Sequence, residues 1–259
     1  MKFPTLSFLE TIARQAGSLL LTGFRGEYQV FHKGEIDLVT EIDRLSEAYL
    51  VGEVRRNFPD HSIVAEEGED INGEDCCVWY IDPLDGTVNF AHGIPLFSVS
   101  IAYAENGCVY LGVVYDPVRE ECFTAELGKG AWLNGKPIQP SKSNKLDQSL
   151  LVTGFPYDIR TNPENNLDLF ARFALVSQGV RRLGSAALDL CYVACGRFDG
   201  YWELSLESWD MAAGTLIAQE AGAKVTNHRG EVELFSPPYS LIASTLAIHS
   251  AMLKLINDA

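Results

Sequence analysis

Val78-Trp79-Tyr80-Ile81-Asp82-Pro83-Leu84-Asp85-Gly86-Thr87 is the stretch on which the reading of this chain turns. Its first four residues are apolar or aromatic and read as a buried strand that delivers Asp82 to its C-terminal end. Pro83 prevents that strand from continuing normally, and Asp85 follows three positions after Asp82. In a tight turn Asp82, Asp85 and the Leu84 carbonyl can converge on one point. Carboxylate and carbonyl oxygens are what hard cations such as Mg²⁺ take. An acidic surface turn closed by an Asx hydrogen bond would use the same residues. Gly86 and Thr87 favour the first reading. Glycine lets the backbone come close to a ligand, and Thr87 can begin a helix whose free N–H groups face an anion. Metal carboxylates beside such a helix start are the parts of a phosphoryl-transfer site. No G-x-x-x-x-G-K-[ST] is present, so the chain has no P-loop.

Two more acidic positions fit that site. Glu66-Glu67 ends the strand-like Ile63-Val64-Ala65, where one carboxylate can face a metal and the other its surroundings. Asp210, in Ser208-Trp209-Asp210, stands in a first helical turn, where the helix dipole favours a carboxylate even without a metal.

Further out, Leu6, Leu9, Ile12, Ala13, Ala16, Leu19 and Leu20 share one helical face, with Pro4 suited to the first turn and Gly23 at the end. A polar loop around His32-Lys33-Gly34-Glu35 precedes a second helix, opened by Thr40 and Asp43 in capping-box spacing and closed at Phe58-Pro59. Strands are expected at 62–65, 77–81, 97–104, 109–115 and 121–125, with a hairpin turn at Asn134-Gly135. A strand at 150–153 then leads to a helix capped by Asn162 with Pro163 at its first position. A strand at 180–183 precedes Gly184-Ser185 and a helix through Cys195, ended by Gly196. A strand at 201–204 precedes a helix capped by Ser208, and Ser244 caps the last one. This order predicts a layered α/β architecture. Residues 1–259 read as one globular unit, without repeat or linker. An N-terminal α+β half (1–145) carries the metal motifs, and a C-terminal α/β half (146–259) completes the site, with a seam near Ser141–Lys145.

Composition narrows the function classes. In 259 residues, 47% are hydrophobic and the net charge is −15. That excludes a surface built to hold nucleic acid or an anionic membrane. No apolar run approaches the ~18 residues of a bilayer span, and no signal-peptide h-region opens the chain. Cys76, Cys77, Cys108, Cys122, Cys191 and Cys195 lack zinc spacing and read as small buried hydrophobes in a reduced, cytoplasmic protein. The scattered histidines disfavour zinc and Ser-His-Asp chemistry.

Glu66-Glu67, Asp82-Pro83-Leu84-Asp85-Gly86-Thr87 and Trp209-Asp210-Met211-Ala212-Ala213-Gly214 resemble the three signature motifs of the inositol monophosphatase family, in that family's order. Lys33 through Asp43 is similar to its Lys-containing loop and following helix. The resemblance implies the αβαβα sandwich of the inositol monophosphatase and fructose-1,6-bisphosphatase type. It implies that Glu66, Asp82 and the Leu84 carbonyl hold one Mg²⁺, that Asp82, Asp85 and Asp210 hold a second, and that a weaker third ion lies near Glu66. Mn²⁺ would substitute and Li⁺ inhibit. The Gly86 and Thr87 backbone would hold the phosphate. Thr87, hydrogen-bonded to Asp43, would help activate the attacking water, with Glu67 completing the catalytic set. Glu66, Leu84, Asp85, Gly184, Ser185, Ala186, Glu203 and Asp210 would contact the substrate. The expected reaction is hydrolysis of inositol 1-phosphate to inositol and phosphate, in a homodimer.

Val88-Asn89-Phe90 is similar to the inositol monophosphatases. Fructose 1,6-bisphosphate, histidinol phosphate and 3′-phosphoadenosine 5′-phosphate are the alternative substrates. Lys33, Arg172, Arg181 and Arg182 are candidate cations for a second phosphate, and Trp202 is a candidate for stacking on adenine. A glycoside hydrolase using Asp82 and Asp85 leaves Gly86-Thr87 and Asp210 unexplained. The intact acids count against a non-catalytic interaction protein.

Overall fold

Thr5 opens the first helix, α1 (Leu6–Phe24), by accepting from the Phe8 N–H at 3.3 Å, so Pro4 precedes the cap instead of entering the first turn. The computed structural model describes residues 3–26, 28–32 and 38–258, with the backbone alone for His32, Leu38 and Asp75. The Lys33–Asp37 segment lies outside the described residues. Strands β1 (Val30–His32) and β2 (Leu38–Thr40) pair antiparallel, and β2 runs into α2 (Glu41–Asn57). The expected capping box is present: the Thr40 hydroxyl accepts from the Ile42 and Asp43 N–H groups, and Asp43 accepts from the Thr40 N–H at 2.9 Å.

β3 (His61–Ala65), β4 (Glu74–Asp85), β5 (Ser98–Glu105), β6 (Cys108–Asp116), β7 (Glu121–Glu126), β8 (Gly130–Leu133) and β9 (Lys136–Pro137) lie side by side in chain order. Only β3 runs parallel to its neighbour. A short helix, α3 (Thr87–Ala91), leaves the sheet directly after β4. Asn134 and Gly135 make the β8–β9 turn at φ of 49° and 73°. The strand expected to stop before Pro83 instead continues to Asp85. Asp82 pairs with Ser100 and Asp85 with Ser98, so one extra residue is absorbed on β4. Pro83 brings no N–H to the ladder, and the result is a bulge instead of a strand end.

The second sheet holds β10 (Leu150–Thr153), β11 (Gly179–Arg181), β12 (Gly200–Leu206), β13 (Lys224–Thr226) and β14 (Tyr239–Ser244), in the order β11-β10-β12-β14-β13. Between its strands run α4 (Leu167–Val176), α5 (Ala186–Ala194) and α6 (Ser208–Ala221), and α7 (His249–Asn257) follows. Three helix starts differ from expectation. Asn162 caps only a local turn, accepting from the Glu164 N–H at 2.8 Å, and α4 begins after Asn166. Glu207, not Ser208, occupies the cap of α6, and Ser244 closes β14 while α7 starts after Ile248. Short polar side chains close Asx turns as readily as helices, so spacing alone misplaced these starts.

The elements stack in five layers. α1 and α2 pack on one face of the seven-stranded sheet; α5 and α6 fill the space between the two sheets; α4 and α7 cover the far side. Gly112 on β6 lets α6 press against the sheet, for a Cβ there would stand 3.0 Å from the Ala213 carbonyl oxygen and 3.2 Å from its Cα. All six cysteines are free. Cys77, Cys122 and Cys191 are buried as expected; Cys76 and Cys195 are half-buried, and Cys108, at the start of β6 beyond the Asn106-Gly107 turn, is exposed. Among the described residues no helix is long and apolar enough to cross a membrane. Replacing Gly112 with valine should overpack this contact by about 1–3 kcal/mol and lower the Tm by roughly 2–10 °C; an unchanged melting curve would show that α6 has room to move.

Candidate active site

The bulge of β4 is held from below. Ser46 of α2 donates to the Pro83 carbonyl at 2.9 Å, and the Leu84 N–H donates back to Asp82 at 2.9 Å. This Asx turn was the alternative reading of the motif, and the structure shows that it serves to aim Asp82. At the end of the strand Gly86 takes φ +100°. A Cβ there would meet the Leu96 and Gly184 carbonyl oxygens at 3.1 and 3.3 Å, so only glycine fits where the two halves of the chain touch. Thr87 then starts α3. Its hydroxyl lies 3.0 Å from Asp43 Oδ1 and 2.9 Å from the Leu84 carbonyl oxygen, so its one proton is committed to an acceptor beneath it.

Glu66, Asp82, Leu84, Asp85, Gly86, Thr87, Trp209 and Asp210 line one hollow of about 240 Å³. No lysine or arginine lines it among the described residues. Asp82 and Asp210 are pushed well above the ordinary carboxylate range, first by burial and then by nearby acids: Glu66, Asp85 and Asp210 for Asp82, and Glu66, Asp85 and Glu203 for Asp210. Burial raises Asp85 less, to about 6, because the Ser185 hydroxyl first, and then the first-turn N–H groups of α5 and the Ser98 hydroxyl, favour its charged form. Ala186 and Ala187 donate to it at 3.2 and 3.0 Å, and the hydroxyls of Ser98 and Ser185 add two more bonds. Asp210 accepts from the Glu207 N–H at 2.8 Å. No three of the acids bring one oxygen each within 4.8 Å of one another, so they ring the hollow instead of meeting at a point.

A second cleft, of about 270 Å³, opens from the first across Asp85, Gly86 and Asp210. Gly184, Ser185, Ala186 and Glu203 line it, together with Arg182 and Asp189. Glu203 is buried, accepts from the Tyr201 hydroxyl at 2.7 Å, and is raised to about 7 chiefly by desolvation. Asn89, in α3, donates to the Leu96 and Leu183 carbonyls at 2.9 and 2.7 Å and so joins the chain after β4 to the segment before α5.

Other expected residues fall elsewhere. Glu67 lines a separate hollow with Arg44 and Glu47, and its N–H donates to Glu47 at 2.8 Å. Both residues follow the end of β3, and Glu66 and Glu67 do not share a pocket. Trp202 is no stacking platform. It is fully buried, with its ring 4.0 Å from that of Phe173 and its Nε1 donating to Asn166. Of the cations named for a second phosphate, Arg182 lines the cleft and Arg172 and Arg181 do not; Lys33 lies outside the described residues. Sequence reasoning missed Ala187 and Asp189. The only trace of Asp189 was an acid inside the apolar run Ala186-Ala187-Leu188-Asp189-Leu190.

The family model of the inositol monophosphatases, a family of phosphoric monoester hydrolases, matches residues 2–259. An inositol-1-monophosphatase of Synechocystis is 48% identical over 82% of this chain and 74% of its own length. A Pseudomonas aeruginosa protein named Nus factor SuhB is 43% identical over 98% of this chain and 96% of its own. The solved inositol monophosphatase of Anabaena superposes with a TM-score of 0.88 at 40% identity, covering 98% of this chain and 96% of that one. With the layered fold and its ring of acids, these likenesses make the chain a member of the inositol monophosphatase family.

Proposed function

We propose that this phosphatase hydrolyses inositol 1-phosphate to inositol and phosphate with the help of Mg²⁺. The observation that carries the reading is the hollow walled by Glu66, Asp82, Asp85 and Asp210 with no cationic side chain among its described lining residues. Like charges crowded in this way call for a cation, and an all-oxygen donor set with one carbonyl suits Mg²⁺, with Mn²⁺ as a substitute and Li⁺ as an inhibitor. Glu66, Asp82 and the Leu84 carbonyl would hold one ion and Asp82, Asp85 and Asp210 another, with a weaker third near Glu66. When bound, the ions supply Lewis acidity, offsetting negative charge and lowering the pKa of water.

The chain's own residues do the rest. Gly86 and the first N–H groups of α3 offer donors to the phosphate without a side chain in the way. Thr87 Oγ1, its own proton engaged below, has lone pairs for a water proton, and Asp43 Oδ1 is placed to take the proton that Thr87 gives up. Burial raises the Asp43 carboxyl above its usual range, which suits it to receive that proton. Gly184, Ser185, Ala186 and Glu203 border the space left for the inositol ring. A homodimer in the cytoplasm belongs to the same reading, and net charge −15 supports small-molecule chemistry over nucleic acid or membrane. The Nus factor name of the 43% relative supports a second reading, an interaction protein built on the same fold.

Asp82→Asn and Asp210→Asn should each abolish turnover with the fold intact and weaken Mg²⁺ binding in calorimetry; unchanged binding in both would sink the ligand assignment. Wild type no more active than Asp82→Asn across a panel of small phosphate esters would favour the interaction protein. Thr87→Ala should slow turnover by roughly 10²-fold or more while leaving Mg²⁺ affinity nearly constant, and an unslowed variant would remove Thr87 from the mechanism. The panel should place inositol 1-phosphate ahead of fructose 1,6-bisphosphate, histidinol phosphate and 3′-phosphoadenosine 5′-phosphate.

Metal-free protein should also show an inverted pH response. Asp85 and Glu203 rise from 3.8 and 4.5 to about 6 and about 7 on folding, so between those limits the native state binds more protons than the unfolded chain. Stability from these groups is then fully present below about pH 4 and is lost as pH rises through about 6 to 7. In chelator the Tm should fall across that window and recover with Mg²⁺ at its upper end; a flat or rising Tm without metal would contradict the burial argument.

A further inference from the structure

Asp189 sits in the first turn of α5 and is fully buried, yet its Oδ1 has no hydrogen-bond partner among the described residues. An unpartnered buried polar group costs about 1–3 kcal/mol, more when charged. Its neighbours along α5, Ala187, Leu188, Leu190 and Cys191, are apolar and buried, so nothing on its own helix satisfies it. The side chain does line the second cleft, beside Glu203 and Arg182. That cleft begins at Asp85 and Asp210, where the phosphate-binding hollow ends, so the part of the substrate remote from the phosphate must occupy it.

We propose that Asp189 is a specificity-determining contact that accepts a hydrogen bond from a ring hydroxyl of the substrate. This deepens, and rests on, the reading of the chain as an inositol-phosphate phosphatase. Tyr201 already occupies one oxygen of Glu203, so Glu203 and Asp189 each present an acceptor, and Arg182 presents only donors. A hydroxyl both donates and accepts, and a ring carrying several of them is the chemistry that meets two acceptors and one donor fork at once. A second phosphate only accepts at neutral pH and would face two buried carboxyls with a single guanidinium in support. The subsite therefore selects a cyclic polyol monophosphate over a bisphosphate.

The test compares inositol 1-phosphate with phenyl phosphate, which has no hydroxyl to offer, on Mg²⁺-loaded wild type, Asp189→Leu and Asp189→Asn. For Asp189→Leu the KM for inositol 1-phosphate should rise about ten-fold or more, and the KM ratio of the two esters should shift by most of that factor. Asp189→Asn keeps the shape and one neutral acceptor, and should shift the ratio by roughly three-fold. A folded Asp189→Leu enzyme with an unmoved ratio overturns the proposal, whereas a general packing role would move both KM values together. If Asp189→Leu fails to fold, an unmoved ratio in Asp189→Asn overturns it instead. Wild type that cleaves phenyl phosphate at least as well as inositol 1-phosphate overturns both this contact and the proposed substrate, while a preserved wild-type preference with an unmoved ratio overturns the contact alone.

Discussion

Mutual repulsion among four carboxylates that line one hollow, Asp82 and Asp85 of them buried, is the constraint around which this structure is organised. Glu66, Asp82, Asp85 and Asp210 arrive from a strand end, a bulge and a helix start, and no lysine or arginine lines their hollow among the described residues. Left alone, such groups would separate or take up protons. Three of them are held by groups that oppose one part of the cost: the Leu84 N–H on Asp82, the α5 N-terminus on Asp85, the Glu207 N–H on Asp210. A hollow lined by carboxylates repels an anion unless cations offset its charge.

That arrangement explains why the fold needs both sheets. Asp82 and Asp85 come from the first sheet, but the N–H groups that steady Asp85 belong to α5, about a hundred residues downstream. α5 and α6 form the layer between the sheets, and their N-terminal ends meet the end of β4. Gly86 and Asn89 complete the junction, one by lacking a side chain and the other by bonding two loop carbonyls. The site is a seam between halves, fixed by close contact on both sides.

Much of this was legible in the residue order, and the reasons differ by element. The Thr40–Asp43 box, the Asn134-Gly135 turn and the β10 strand are local, set by dihedral preference and one or two bonds, and they appear where their residues predict. The starts of α4 and α7 were misread because Asn162 and Ser244 are short polar residues with several local uses. The β4 bulge was visible as a proline but not as a bulge, since whether a strand absorbs an irregularity depends on the neighbour that pairs with it, here β5.

Motif chemistry and hydrophobic period belong to short segments, so the family, the layered class and the set of acids can be read from residue order. Which acids share a hollow emerges only once the layers have packed. That packing separated Glu67 from Glu66, buried Trp202 against Phe173, and set Asp189 beside Glu203 in a cleft that the chain order does not show. The physical reason is that burial and hydrogen bonding between residues far apart in the chain exist only once the layers have packed. Until then a carboxylate on a helix is solvated like any other.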